Sequence, residues 1–370
     1  VLSRRKVSSG RIPLLRKRGV EVGPDAHAEF ERARAAWDAG RRREALDSIE
    51  RLARRELVPA TLLTAIGQFM TDAGELFVAA ECLERLTALE PARALPHYYL
   101  GRIYDRLGRL DEALHEHKKA IELEPSNAEC HYRMGVTLAR NERRGEAEEC
   151  YRRAIALDRG HARAYTNLGC LLDMRGEDAR AIQLFRRALQ FNPNSAEAHF
   201  NLGALYGEHG SHDEAIREFQ HAIRLAPASV EAHYNLGLAL YAGNDMNGAL
   251  ESFRRVAKLD PAHAQAPFFV GMIYYRKGLY GKAVKLLQTA LKTSPDHPSI
   301  LYHIGMCYNH LNQPARAIPP LKRVTELTPD DHRAFYALGM VYDRADMRDD
   351  ARASYRTADA KLHAHRQRVA

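Results

Sequence analysis

A chain of 370 residues that is 45% hydrophobic can bury a sizeable core, and its five cysteines (Cys82, Cys130, Cys150, Cys170 and Cys307) are odd in number and widely spaced, without a C-x-x-C pair. That usage argues against a disulfide framework or a zinc module and for free thiols in a reducing compartment, so a cytoplasmic protein is expected. The net charge of +8 sits at the ends: Arg4, Arg5, Lys6, Arg11, Arg16, Lys17 and Arg18 face one acid, Glu21, and Lys361, Arg366 and Arg368 close the chain, leaving a nearly neutral body that is no broad attractor for phosphate.

No stretch approaches the roughly 18 to 20 apolar residues that cross a bilayer, and no apolar signal-peptide core stands near the start. Residues 1–25 read as a basic extension. Beyond them a period of 34 governs the sequence, marked by Ala45, Ala79, Ala113, Ala147, Ala181, Ala215, Ala249, Ala283, Ala317 and Ala351. Twelve residues before nine of these alanines stands a glycine, from Gly67 and Gly101 through to Gly339, and Ala33 takes the place in the first unit. Twelve residues after come Pro91, Pro125, Pro193, Pro227, Pro261, Pro295 and Pro329, with Arg159 the interior exception; proline closes each unit because it cannot continue a helix. Units therefore start near residues 26, 60, 94, 128, 162, 196, 230, 264, 298 and 332, the array runs over 26–365, and 366–370 is a basic end.

Within Ala94–Asn127, Leu100, Tyr104 and Leu107, then Ala113, Leu114, Ala120, Ile121 and Leu123, follow helical spacing broken at Gly108. Each unit is thus two helices of about 14 residues, each about 21 Å long. Small residues at Gly101 and Ala113 let the helices approach closely. The turn residue is Gly40, Gly74, Gly108, Gly176, Gly210 or Gly278, or Asn at Asn244 and Asn312, types that tolerate a left-handed backbone; Glu142 and Asp346 depart from this. Pro267 fits near a helix start, whereas Pro319 and Pro320 fall inside a helix and predict a kink near residues 316–320. The first unit, with Arg41, Arg42 and Arg43, reads as one cap, and the polar run Arg348–Arg368 as an extended closing helix.

This pattern resembles the tetratricopeptide repeat family over nearly the whole chain. The resemblance implies an all-α, right-handed superhelical solenoid of about ten 34-residue helix-turn-helix repeats, in which each hairpin buries its apolar face only by stacking on its neighbours. It also implies that the first helix of every hairpin lines a concave groove through its second, fifth, sixth, ninth, twelfth and thirteenth residues. The sixth place then reads Tyr99, Arg133, Asn167, Asn201, Asn235, Phe269, His303 and Ala337. Consecutive asparagines offer donors and acceptors that can clamp the backbone of an extended peptide, or are simply the residue preferred there. The fifth place is an aromatic stripe (Tyr98, Tyr132, Phe200, Tyr234, Phe268, Tyr302 and Tyr336, interrupted by Thr166), suited to peptide contact and, more simply, to packing between hairpins.

Arg102, Arg106, Arg133, Arg140 and Arg163 gather at groove places in units three to five, where an acidic ligand segment would dock; Glu197, Glu208 and Glu231 follow in the next two units. Tyr241, Tyr275 and Arg276 complete the candidate contacts. No unit has lysine at the fifth place, so the family's carboxylate clamp for acidic chaperone tails is unsupported. His97, His131, His199 and His233 recur one hairpin apart rather than at ligand spacing, which does not suit a metal.

No glycine-rich phosphate loop, triad or paired carboxylates accompany the repeats, so no catalysis, cofactor, metal or small-molecule substrate is expected. The expected function is a scaffold or adaptor holding extended or helical segments of protein partners. The stacked asparagines also resemble the repeat region of O-linked N-acetylglucosamine transferases, which implies as an alternative the recognition arm of a larger enzyme or of a secretion or envelope assembly. The chain starts at Val1 rather than at a methionine, as a processed or partial chain would. Residues 1–22 can lie on an anionic surface such as a membrane or nucleic acid, and solenoid ends can stack into homo-oligomers.

Overall fold

The computed structural model describes residues 25–369, so the basic segment 1–22 and any contact it makes lie outside the described residues. The chain divides into two compact units, Val1–Asn167 and Leu168–Ala370, and the division falls inside one helix. Among the described residues all regular structure is helical.

The first unit holds four complete hairpins: α1 (Asp25–Asp38) with α2 (Arg42–Ala53), α3 (Ala60–Ala73) with α4 (Leu76–Leu89), α5 (Ala94–Arg106) with α6 (Leu110–Leu123), and α7 (Ala128–Arg140) with α8 (Arg144–Leu157). Helix α9 (Ala162–Asp173) crosses the division. The second unit continues with α10 (Asp178–Phe191), then α11 (Ala196–Glu208) with α12 (His212–Leu225), α13 (Val230–Ala242) with α14 (Met246–Leu259) and α15 (Ala266–Arg276) with α16 (Tyr280–Thr293). It ends with α17 (Pro298–His310) and α18 (Pro314–Leu327), then α19 (His332–Arg344) and the 22-residue α20 (Arg348–Val369). Within each unit a hairpin packs on the next through its second helix and through pairs of first helices such as α5 on α7 or α15 on α17.

The periodic alanines are the deepest points: Ala45 through Ala317 are fully buried, and Ala351 is 1% exposed. The periodic glycine has a more specific cause than helix proximity. A methyl group at Gly135 would stand 2.7 Å from the Tyr151 ring, and one at Gly237 would stand 2.8 Å from the Phe253 ring. The large side chain sixteen residues on, from the second helix of the same hairpin, thus fills the space that a Cβ would take.

Every hairpin turn places one residue in the left-handed region. The six expected glycines are there, with Asn244 (φ 66°) and Asn312 (φ 56°); Asp346 (φ 57°) takes the same conformation, which aspartate tolerates better than most residues, and Glu142 (φ 58°) takes it without being favoured for it. Between hairpins, the Asn127, Ser195, Ser229 and Asp331 side chains accept from backbone N–H groups at the start of the next helix. Pro267 occupies the first turn of α15. Helix α18 continues through Pro319 and Pro320, so the two prolines do not end it. Pro319 is exposed, and Ala317, Leu321 and Val324 carry the buried side of this helix.

Candidate functional site

In the first unit the candidate arginines separate into groups with different employment. Arg106 donates to the Thr71 carbonyl at 3.0 Å, and Arg140 donates to the Asp105 carbonyl and pairs with its carboxylate, both at 2.6 Å. Each bridges the thirteenth place of one first helix to the twelfth place of the preceding one, satisfying a carbonyl at a helix C-terminus. Arg344 does the same to the Asn309 carbonyl in the second unit. These side chains are struts between hairpins.

Arg133 and Arg163 converge on Glu129, at 2.8 and 3.0 Å, and the His161 Nε2 lies 3.2 Å from the same carboxylate while the Tyr98 hydroxyl donates to it at 3.4 Å. Partial burial alone would raise the Glu129 pKa, but the His161 hydrogen bond and the two guanidinium groups outweigh it and hold the carboxyl at about 2. Glu129 is the hub of the basic region, and counting arginines at groove places misses it; the signal was the 4-residue and 34-residue spacing from Glu129 to Arg133 and Arg163.

Arg102 differs from the other four. It is half-buried over the Tyr98 and Tyr99 rings, 5.6 and 5.8 Å from their centroids, and no carboxylate of the described residues pairs with it. Tyr99 also accepts from Gln68 at 3.2 Å. Beneath Arg102, the fully buried His117 ring fills the space at Gly101, and its Nδ1 has no hydrogen-bond partner. Burial, reinforced by Arg133 and Arg102, lowers the His117 pKa to about 4, so the imidazole is neutral.

The three candidate asparagines are half-buried but not equivalent. Asn167, in the first unit, donates to the Tyr151 hydroxyl at 3.3 Å. In the second unit Asn201 donates to the Cys170 sulfur at 3.2 Å, whereas Asn235 has no hydrogen-bond partner among the described residues. Phe269 is stacked on Phe253 with centroids 5.2 Å apart, and Tyr234, Tyr241 and Phe268 meet its edges, so it is part of the packing between hairpins. Arg276 lies over Tyr241 at 4.3 Å, repeating the thirteenth-to-twelfth bridge through a ring face. Tyr275 packs with Tyr280, His303 and His310.

The fifth-place aromatics mostly close the seams between hairpins: Tyr132 against His161 at 4.7 Å, Tyr234 against His263 at 4.9 Å and Phe268 against His297 at 5.9 Å, while Tyr336 is exposed. The fourth-place histidines brace the turns, with Nε2 of His131, His199 and His233 3.0 to 3.2 Å from the carbonyls of Pro125, Pro193 and Pro227. His97 and His199 also bond Glu116 and Glu218, each at 2.6 Å. Burial pushes the cysteine thiols up, to about 11 at Cys150 and about 12 at the other four, which keeps them protonated. Among the described residues no helix is long and apolar enough to cross a membrane.

Comparison with known proteins agrees with this architecture. No curated protein matches the chain. Among solved structures, a TPR protein named YrrB, described as having an unusual peptide-binding site, is 25% identical over 51% of this chain and 98% of its own, with a TM-score of 0.48. Pseudomonas aeruginosa PilF is 22% identical over 56% of this chain and 93% of its own, at a TM-score of 0.50. The C-terminal part of a TPR repeat-containing protein from Cytophaga hutchinsonii is 16% identical over 65% and 99%, at 0.52; at such identities the likeness concerns the fold alone. A TPR repeat profile matches residues 101–142, and the profile of the cilia and flagella-associated protein 70 C-terminal domain matches residues 135–370. The chain therefore belongs to the tetratricopeptide-repeat family of the cilia and flagella-associated protein 70 C-terminal domain.

Proposed function

We propose that this chain is a non-catalytic scaffold that binds segments of partner proteins along the exposed faces of its first helices. One observation carries this reading: whereas Arg106, Arg140, Arg133 and Arg163 are taken up by struts and by Glu129, Arg102 and Asn235 stand half-buried at groove places with no carboxylate or hydrogen-bond partner, respectively, among the described residues. Their polar atoms remain open to solvent, so a ligand can take them up by displacing water, without breaking an internal contact. Arg102, on its two tyrosine rings, suits an acidic or carboxylate-bearing segment, and Asn201 and Asn235 suit the backbone of an extended one. The family is named for a protein associated with cilia and flagella, and a place within a larger assembly is the form of the proposal that this name supports.

The test compares capture of partners from native lysate by this chain and by a variant carrying Asn167→Ala, Asn201→Ala and Asn235→Ala, with helicity verified. Loss of specific partners in the variant supports the reading. Unchanged capture removes the asparagines from the binding surface and moves it to the second helices or to the basic segment 1–22.

A further inference from the structure

The two units contain the same small slot, and only one of them is satisfied by the chain itself. In the first unit a cavity of about 220 Å³ is walled by Leu95, Tyr98, Glu124, Asn127, Glu129 and Cys130, at the seam between the α5 and α7 hairpins. Three repeats later, 102 residues on, the same places build a cavity of about 230 Å³ lined by Glu197, Phe200, Ala226, Ser229, Glu231 and Ala232, between the α11 and α13 hairpins. Both are smaller than the 300 to 1,000 Å³ of ordinary small-molecule pockets and are on the scale of one side chain.

The difference lies in what surrounds the shared glutamate. Glu129 is held by the Tyr98 hydroxyl, Arg133, His161 and Arg163. At the places equivalent to Tyr98, Arg133 and Arg163 the second slot has Phe200, Asn235 and Gln265, so the hydroxyl and both guanidinium groups are gone. His263 keeps the histidine place, but it packs on Tyr234 and no bond joins it to Glu231. Among the described residues Glu231 retains only the Ser229 hydroxyl, at 3.4 Å. A second carboxylate, Glu197, replaces Leu95, and no cation of the described residues pairs with either acid. Between them lie an aromatic side chain and alanine walls.

We propose that the second slot receives an arginine side chain of a bound partner segment, which supplies from outside the guanidinium that Arg133 and Arg163 supply internally in the first. This rests on the reading of the first-helix faces as the binding surface and adds the chemistry that one slot selects. Two carboxylates at the mouth complement the charge, the Phe200 ring offers a face to a planar cation, and Ala222, Ala226 and Ala232 receive the aliphatic stem. The first slot demonstrates that a carboxylate at this place gathers guanidinium groups when they are within reach.

The experiment labels alanine methyl groups in the full chain and titrates N-acetyl-arginine amide, with the isosteric, uncharged N-acetyl-citrulline amide as control. Saturable shifts at Ala222, Ala226 and Ala232 with the arginine probe, at least tenfold weaker binding of the citrulline probe, and at least tenfold loss in Glu231→Gln are the expected result. Asn235→Arg, which copies Arg133, fills the slot from within and is expected to abolish the shifts while the spectrum stays folded. Equal response to both probes, no saturable shift at these methyls, or full binding by Glu231→Gln overturns the proposal. Movement of the same methyls on deleting residues 1–22, with no probe present, assigns the slot to the chain's own basic segment and overturns it also. The probe reports the slot without any partner, so its failure is separable from that of the asparagine-dependent capture.

Discussion

Replacing His117 by phenylalanine is expected to stabilise the α5 and α6 hairpin, and by more as the pH falls. The equivalent place beside the glycine holds Tyr151, Phe185, Phe219 or Phe253 in other hairpins, so a ring of this size fits the space at Gly101. At pH 7 the variant removes a fully buried Nδ1 that has no partner, a group whose burial costs about 1 to 3 kcal/mol. Acid adds a second effect. Burial, with Arg133 and Arg102 nearby, puts the folded pKa at about 4 against an ordinary 6.5, so the unfolded imidazole takes up a proton below pH 6.5 while the folded one stays neutral. His117 therefore makes its full contribution above pH 6.5 and loses stability progressively down to about pH 4. At about 1.4 kcal/mol per pH unit, the wild-type hairpin loses about 2 kcal/mol between pH 7 and pH 5 that the variant keeps. Repeat arrays unfold in parts, so the measure is hydrogen exchange of α5 and α6 amides at the two pH values, supported by urea unfolding. An advantage of His117→Phe that stays constant with pH within about 0.5 kcal/mol, or a variant less protected at pH 7, refutes the buried neutral imidazole.

Three further outcomes follow from the same geometry. Glu142→Gly and Asp346→Gly each relieve a left-handed non-glycine residue and are expected to gain about 0.5 to 1 kcal/mol, read as a rise in thermal midpoint, whereas Gly108→Glu loses a similar amount. Glu129→Gln leaves Arg133, Arg163 and His161 facing one another; because the Glu129 carboxyl is held at about 2 instead of 4.5, its contribution is complete above pH 4.5 and disappears toward pH 2. The loss, about 1 to 2 kcal/mol at pH 7 after allowance for solvent screening, is expected to fall to about a quarter of that near pH 2.5 in urea titrations. Arg102→Ala is expected to weaken binding of an acidic peptide at least tenfold while losing about 0.5 to 1 kcal/mol of stability with its ring contacts, whereas Arg106→Ala and Arg140→Ala lower stability by a similar amount and leave binding unchanged; equal effects of all three on binding would remove the distinction between strut and contact.

The repeat was legible because the residues that mark it are dictated by local geometry. Alanine recurs where two helices touch and glycine where a large side chain from the partner helix, a ring or a leucine, occupies the place of a Cβ, so one hairpin's requirement is printed in nearly every copy. Glu142 and Asp346 were not legible as turn residues, because the neighbouring hairpins impose the left-handed conformation at the cost of local preference. Pro319 and Pro320 lie inside α18, whose buried side is carried by Ala317, Leu321 and Val324.

The candidate site was less legible than the fold, because a groove place records that a side chain is available and not whether a neighbour has already used it. Arg106, Arg133, Arg140 and Arg163 look alike in sequence, yet two cap carbonyls of the preceding hairpin and two neutralise Glu129. Three of the four reveal themselves as pairs across a repeat, at separations of 34 or 35 residues, and Arg133 as a pair four residues apart, so the informative comparison is between equivalent places in different hairpins. Where one copy carries both members of a pair, the contact is internal and contributes to stability. Where another copy keeps the anion and drops the cations, as Glu231 does beside Asn235 and Gln265, the missing partner is left to a ligand. Specificity in such an array is written in the departures from its own repeat, because the shared positions are committed to holding the hairpins together.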